Sequence, residues 1–216
     1  MHVILMGPPG AGKGTQAAML AGKFGIPHVS PGEMFRRAAR AGTPLGREAS
    51  SYMEKGALVP DEITNAIIKE RLAEDDCRKG FILDGFPRNL AQAGVLQAVL
   101  NELEIPLDGA ISIEVPVEEL VRRSVGRRVC RQCGRTYHLE SNPPRTTGLC
   151  DACGGELFLR SDDREDTVRN RLKVYHEHTA VLLDYYRERG ELWVVDGNRS
   201  IDEVLAELSG ILQGLS

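Results

Sequence analysis

Met1 to Thr15 reads MHVILMGPPGAGKGT, and the fold of the whole chain is decided by how this stretch is read. Val3-Ile4-Leu5-Met6 is an apolar run of the length of a buried strand. Glycines at 7, 10, 12 and 14 break it, and Gly12-Lys13-Gly14-Thr15 opens an apolar, Ala-rich segment of helical character. Strand, glycine turn and helix in that order suit a phosphate-binding loop. Backbone N–H groups turn inward around an anion, and the helix N-terminus adds partial positive charge. Lys13 then reaches the outer phosphates of a nucleoside triphosphate. The general motif has Ser or Thr directly after the lysine. Here Gly14 intervenes and Thr15 follows, so a magnesium ion can be held through water instead of by a direct hydroxyl ligand.

Outward from this loop the chain alternates strand and helix. Pro27–Val29, Phe81–Leu83, Ala110–Val115 and Leu192–Val195 are the further strand candidates, with helical stretches between them. The pattern predicts an α/β fold, a parallel five-stranded sheet of the phosphate-loop NTPase kind with helices on both faces. Ligands of such sheets bind beyond the carboxyl ends of the strands. The glycine loop, Ser30 and Asp84 all lie there. Ser30-Pro31-Gly32-Glu33 has the spacing of a capping box at a helix start. Two short helices are expected up to Gly56, broken at Gly42-Thr43-Pro44. Asp61 is expected to cap the next helix, with Ile63, Ile67 and Ile68 on its apolar face. A second capping box, Ser200-Ile201-Asp202-Glu203, starts the last helix, whose Val204, Leu205, Leu208 and Leu212 face the core.

A chain of 216 residues can bury a full core and fits one domain carrying inserted subdomains. Net charge is -4 with a pI near 5.8, which excludes a general basic field for nucleic acid. The N-terminal apolar run is four residues long, too short for a secretory signal, and no stretch approaches a membrane span. A soluble, cytoplasmic protein is expected.

Residues 126–163 differ in kind, with four of the five cysteines, Pro143-Pro144 and few apolar residues. Such a segment cannot form a core unaided and needs a staple. Cys130-Arg131-Gln132-Cys133, sixteen residues, then Cys150-Asp151-Ala152-Cys153 is the spacing of a zinc ribbon. Four thiolates fill a tetrahedral shell and leave no place for water, so the ion would be structural. Two disulfides or a redox pair are the alternatives. Cys77, standing alone, reads as an ordinary reduced cysteine.

Phe81-Ile82-Leu83-Asp84-Gly85-Phe86-Pro87-Arg88 puts a carboxylate at a strand end, followed by a glycine and an arginine. Asp84 is placed to orient water on magnesium, Gly85 allows close backbone approach, and Arg88 can grip a phosphate bidentately. Arginines gather before the insert at 122, 123, 127 and 128 and after it at 160, 164, 169 and 171. Asp162, Asp163, Glu165 and Asp166 are mixed with the second group. About half of these arginines are expected to be solvated, with others left to face a ligand. His176 and His178 are expected to be exposed.

GPPGAGKGT, DGFPRN, GRRVC, RSDDRE and TVRNRLKVYH, in this order, closely resemble the adenylate kinases, and 126–163 resembles the long zinc-bearing lid of many bacterial members. The resemblance runs from residue 1 to about 212. It implies a core of residues 1–29, 60–125 and 164–216, an AMP-binding insert at 30–59 and a zinc-binding lid at 126–163. It also implies ATP:AMP phosphotransferase activity, the reversible γ-phosphoryl transfer from MgATP to AMP that gives two ADP and serves adenine nucleotide homeostasis and AMP salvage. ATP, AMP and ADP are the implied ligands, with Mg²⁺ and a structural Zn²⁺, and the protein is expected to be a monomer without nucleic-acid or membrane partners.

Carried over by position, Gly10, Ala11, Gly12, Lys13, Gly14 and Thr15 would hold the ATP phosphates. Arg123 would lie by the ATP base, Thr136 and Tyr137 would contact ATP, and the Arg199 backbone would meet its adenine. Arg127, Arg160 and Arg171 would close on phosphates with the lid. On the acceptor side Arg36 and Arg88 would bind the AMP phosphate and Ala57, Leu58 and Val59 would offer backbone contacts. Gln92 would read the adenine edge, with Pro31, Gly85, Phe86, Pro87, Arg160 and Arg171 completing the site. Asp84 would organise the magnesium shell. Lys13, Asp84, Arg88, Arg127, Arg160 and Arg171 are thereby the catalytic set, and Cys130, Cys133, Cys150 and Cys153 the metal ligands. The chain departs from the family pattern at Pro31, where many members have Thr, and at Glu33, where Asp is frequent. A kinase for another monophosphate and a zinc-ribbon nucleic-acid binder with incidental ATPase activity are the other two readings.

Overall fold

Val3, Ile4 and Leu5 are fully buried, as residues of a strand covered on both faces must be. In the computed structural model, which describes residues 1–215, they form β1 (His2–Met6). The glycine loop follows, then α1 (Lys13–Phe24) and β2 (His28–Val29). Next come α2 (Pro31–Arg40), α3 (Pro44–Met53), α4 (Asp61–Leu72) and, after a short 3₁₀ turn, β3 (Phe81–Asp84). α5 (Leu90–Glu102), β4 (Gly109–Glu114) and α6 (Val117–Gly126) lead to a small antiparallel sheet of β5 (Arg127–Cys130), β6 (Thr136–His138) and β7 (Leu157–Phe158). α7 (Glu165–Val174), a wide π-turn at Tyr175–Thr179, α8 (Val181–Glu188), β8 (Leu192–Asp196) and α9 (Ile201–Gly214) complete the chain.

The main sheet has the order β2-β3-β1-β4-β8 and every pairing in it is parallel. The five predicted strands are these five, each within a residue or so at its ends. Leu5 pairs with Asp84 and Met6 with Ser112, so the carboxyl ends of β1 and β3 finish side by side and Asp84 stands next to the glycine loop. One face packs on Ile68 and Leu72 of α4, Leu96 and Leu100 of α5 and Leu182 and Tyr186 of α8. The other packs on Ala17 and Leu20 of α1, Leu120 of α6, Leu172 of α7 and Leu208 and Leu212 of α9. Two faces of apolar helices around a parallel sheet are the doubly wound α/β layout.

Two start signals act differently from their sequence reading. Ser30 does stand before α2 with Pro31 in its first turn, yet its hydroxyl caps nothing, and Glu33 points to Arg36 and Arg160. A carboxylate gains more from two guanidinium groups than from one backbone N–H. Asp61 is likewise the first residue of α4 and not its cap; Pro60 takes that place, and the Asp61 carboxylate accepts from Asn89 and Gln92. The capping box at Ser200 and Glu203 is present as read. Thr43 caps α3 by accepting from the Gly46 N–H at 3.1 Å. Gly46 is also where α3 crosses α2 so closely that a Cβ would collide with the backbone of Ala38.

The two N-caps should therefore separate in a stability assay. Thr43→Ala is expected to cost about 1 kcal/mol, the usual value of a working cap, and Ser30→Ala a small fraction of that. Urea unfolding of the two variants checks it, and equal losses would contradict the observed caps.

Candidate active site

The glycine loop is built for close approach. Gly10 has φ +90°, and a Cβ there would lie 2.5 Å from the Leu120 carbonyl oxygen, so only glycine lets the loop nest on α6. At Gly12, φ +95°, an added Cβ would meet nothing within 4 Å: that side of the loop is open space. Gly12 also precedes α1 without any side-chain cap, which leaves the first N–H groups of the helix free for an anion. Lys13 Nζ donates to the carbonyls of Gly7 (2.7 Å) and Pro8 (2.9 Å).

The loop is one wall of a cavity of about 1790 Å³. Gly10, Ala11, Gly12, Lys13, Gly14 and Thr15 line it together with Asp84, Arg123, Arg127, Thr136 and Arg199. At its other end it is lined by Pro31, Arg36, Ala57, Leu58, Val59, Gly85, Pro87, Arg88 and Gln92, with Arg160 and Arg171 between. Two predicted residues stand apart from the rest. Phe86 is 1% exposed in the sheet core and does not line the cavity. Tyr137 borders the cavity, but its ring is buried in the small sheet and its hydroxyl lies 3.4 Å from Cys150 Sγ and accepts from the Asp151 N–H. A nucleotide contact by Tyr137 is thus left to its main chain.

Cations dominate the cavity floor. Burial, with the charges of Arg88, Arg171 and Arg127 nearby, brings the Lys13 ammonium down to about 8, although Asp84 opposes this. Burial and then Arg171 bring Arg88 down to about 10, and burial with Arg36 and Arg127 does the same for Arg160. The Asp84 carboxyl is held below the usual range: burial works against ionisation, but the hydrogen bond from His28 (3.2 Å) and the Lys13 charge outweigh it. Glu33 bridges Arg36 (2.8 Å) and Arg160 (2.9 Å), Asp163 takes Arg127 (3.2 Å), and Asp162 takes Arg171 (3.3 Å). Arg160 Nε is buried with no partner among the described residues. Such a floor has more positive charge than its carboxylates satisfy, and polyanions are what it can take up. The remaining hinge arginines are engaged or exposed: Arg128 donates to the Val125 and Arg127 carbonyls, and Arg122 borders the cavity with its charge paired. Arg122 pairs with Glu119 and Glu140, Arg169 pairs with Glu165, and Arg164 is exposed, as are His176 and His178.

A family model described as adenylate kinase matches residues 5–191. The chain belongs to the adenylate kinase family. It is 57% identical over 213 residues to an adenylate kinase of Carboxydothermus hydrogenoformans, covering 99% of this chain and all of that one. It is 56% identical over 208 residues to that of Symbiobacterium thermophilum, covering 96% of each. It is 53% identical over 215 residues to that of Staphylococcus epidermidis, covering the full length of both.

Four cysteines in the insert bring their sulfurs within 4.8 Å of one another, and none of the chain's cysteines forms a disulfide. The pairs Cys130–Cys153 and Cys133–Cys150 lie 3.4 and 3.6 Å apart. Sulfurs on a tetrahedral zinc with bonds near 2.3 Å sit about 3.8 Å apart, so the cluster fits that ion. Cys77 is buried and free, and burial raises its thiol to about 11. Sequence reasoning passed over three residues that hold the site: His28 on Asp84, Asp61 on Gln92, and Thr179, whose hydroxyl donates to the Arg88 carbonyl at 2.8 Å. His28 carried a signal, being in a strand candidate that leads to the ligand edge of the sheet next to the strand that ends in Asp84; Thr179 carried none, since a π-turn sets its direction.

The lowered Lys13 value fixes the sign of a proton linkage. Bound phosphate restores the ammonium toward its ordinary 10.5, so between about 8 and 10.5 the free site has lost a proton that the filled site keeps. ATP binding in that window should take up close to one proton and weaken as pH rises. Calorimetry in two buffers of different ionisation enthalpy measures the uptake, and release or no exchange would contradict it.

Proposed function

We infer that this protein transfers the γ-phosphoryl group of MgATP to AMP, reversibly and directly, giving two ADP. The observation that carries the reading is the single cavity in which Lys13, Arg88, Arg127, Arg160 and Arg171 converge between the glycine loop and the α2–α3 insert. Phosphoryl transfer needs donor and acceptor in line and cations on the equatorial oxygens, with no covalent protein intermediate. Gly10 to Thr15 would hold the donor phosphates, with Arg123 and the Arg199 backbone at its base and Thr136 and Tyr137 meeting it from the lid. Arg36 and Arg88 would take the AMP phosphate, while Gln92 and the Ala57–Val59 backbone would meet its base. Arg127, Arg160 and Arg171 would close on the transferring group.

Three bodies follow from this reading: a core of residues 1–29, 60–125 and 164–216, an AMP-binding insert at 30–59 and a lid at 126–163. Closing the last two over the core keeps water from the γ-phosphate, which prevents simple hydrolysis of ATP.

Magnesium, when bound, would neutralise phosphate charge. The donors beside the loop suit it: the Asp84 carboxylate faces Gly14, and the Thr15 hydroxyl is exposed at the start of α1. Zinc would be structural, held by Cys130, Cys133, Cys150 and Cys153 with no coordination position left for chemistry. No helix among the described residues is long and apolar enough to cross a membrane. We take the protein to work as a cytoplasmic monomer on ATP, ADP and AMP, without nucleic-acid or membrane partners.

Incubation with MgATP and each of AMP, CMP, UMP and GMP should give ADP fastest with AMP. Lys13→Ala should lower turnover by roughly a thousandfold or more with the fold intact, because Lys13 acts on charge that develops in transit. Near wild-type turnover in that variant would refute the site. Removing zinc should lower the melting temperature and leave activity at low temperature largely in place. Lost activity with an unchanged melting point would contradict the structural role.

A further inference from the structure

Gln92 is 1% exposed, and its amide is held in one orientation by two groups that cannot exchange roles. Nε2 donates to Asp61 Oδ1 at 2.7 Å, and Oε1 accepts from the Arg88 backbone N–H at 2.8 Å. A carboxylate only accepts and a peptide N–H only donates. Turning the amide over would set oxygen against carboxylate and N–H against N–H. Asp61 is fixed in its turn. Asn89 Nδ2 donates to both its oxygens (3.2 and 3.0 Å), while Asn89 Oδ1 caps α5 by accepting the Gln92 backbone N–H at 2.8 Å. The side-chain amide of Gln92 keeps a second N–H and a second lone pair without partners among the described residues.

We propose that Asp61 is a positioning residue that sets the base selectivity of the acceptor site, admitting a 6-aminopurine and rejecting a 6-oxopurine by holding the Gln92 amide in one order. The proposal rests on the placement of Gln92 at the purine edge inferred above. An adenine edge presents an acceptor at N1 and a donor at N6, which a fixed N–H and C=O complement. Hypoxanthine or guanine presents the reverse, N1–H and O6, and pairs only with the turned amide. The Arg88 peptide and Asp61 both oppose that turn, and the bond to the charged acceptor is the stronger of the two. Asp61 does not itself reach the base; it acts through Gln92.

The test compares kcat/KM for AMP and for inosine monophosphate, with MgATP, in the wild type, Asp61→Asn, Asp61→Ala and Gln92→Ala. Asp61 is half-exposed at the start of α4, and two substitutions guard against one that does not fold. Either Asp61 variant should narrow the AMP-over-inosine preference by roughly tenfold, about the worth of one hydrogen bond to a charged partner. A merely structural role would lower both substrates together and leave the ratio in place. A ratio unchanged in both Asp61 variants but collapsed in Gln92→Ala would overturn the proposal and leave Gln92 as the reader of the base. A ratio untouched in Gln92→Ala would overturn the placement of Gln92, and with it the proposal.

Discussion

Repulsion among buried cations is the constraint on which the cleft depends. Lys13, Arg88 and Arg171 lie deep enough that burial lowers all three; Arg88 and Arg171 add to the lowering of Lys13, and Arg171 to that of Arg88. No isolated helix or loop would hold them together. The parallel register does: it ends β1 and β3 side by side, so that the lysine after one strand and the arginine after the other share a floor. Arg127, which opens β5, and Arg160, just past β7, then arrive together at one end of the small antiparallel sheet, and Arg36 comes from α2. Where two of these meet, Glu33 sits between them, one carboxylate oxygen accepting from both Arg36 and Arg160. On the proposed reading an incoming phosphate oxygen would compete with Glu33 for these two guanidinium groups, one bridging partner exchanging for another.

The cysteine-bearing insert shows how little hydrophobic material a segment can have and still be ordered. Its core is four buried residues, Cys130, Tyr137, Cys150 and Leu157, and two of them are predicted metal ligands. Three short strands with so small an apolar cluster are marginal in water. Tyr137 adds a polar tie: its hydroxyl accepts from the Asp151 N–H beside the second cysteine knuckle and borders Cys150. A metal held by the four cysteines would therefore act on the same few residues as the aromatic ring, and the cost is that Tyr137 buries its side chain in the small sheet.

Legibility in the sequence followed the range of the interaction. The five strands, the glycine loop, the two-helix insert and the cysteine ribbon are announced by local pattern, and each is where the pattern put it. The capping boxes show the limit. Ser30–Glu33 and Ser200–Glu203 have the same spacing, but only the second forms, because Glu203 lies on the surface near its own helix start while Glu33 faces Arg160, 127 positions away. A carboxylate reads as a cap until a distant guanidinium competes for it. Asp61 misled for the same reason, its partners being 28 and 31 residues on. Phe86 was drawn into the site by the company it keeps in the sequence. Yet the strand ends at Asp84 and the turn at Gly85 (φ +74°) breaks its alternation, sending the Phe86 ring to the core beside Phe81 and Leu83 while Gly85 and Pro87 line the cavity.

Arg88 joins these long-range contacts into one device. Its N–H is taken by Gln92, its carbonyl accepts from Thr179, and its Nε donates to the Gly85 carbonyl at 2.8 Å. Main chain and side-chain stem are thus tied to α5, to the π-turn beyond α7 and to the loop after β3. The terminal guanidinium nitrogens, the part that can grip a phosphate, are left toward the cavity. A π-turn inside an otherwise regular helix costs hydrogen-bond quality, and such turns collect at functional sites. Here it faces Thr179 onto the peptide of Arg88. The ring from Asp61 through Asn89 and Gln92 reaches the same peptide from the other side. On the proposed placement, a phosphate at Arg88 and a base at Gln92 would bear on one peptide unit held from both sides, so recognition of the base and placement of the phosphate would be mechanically one event.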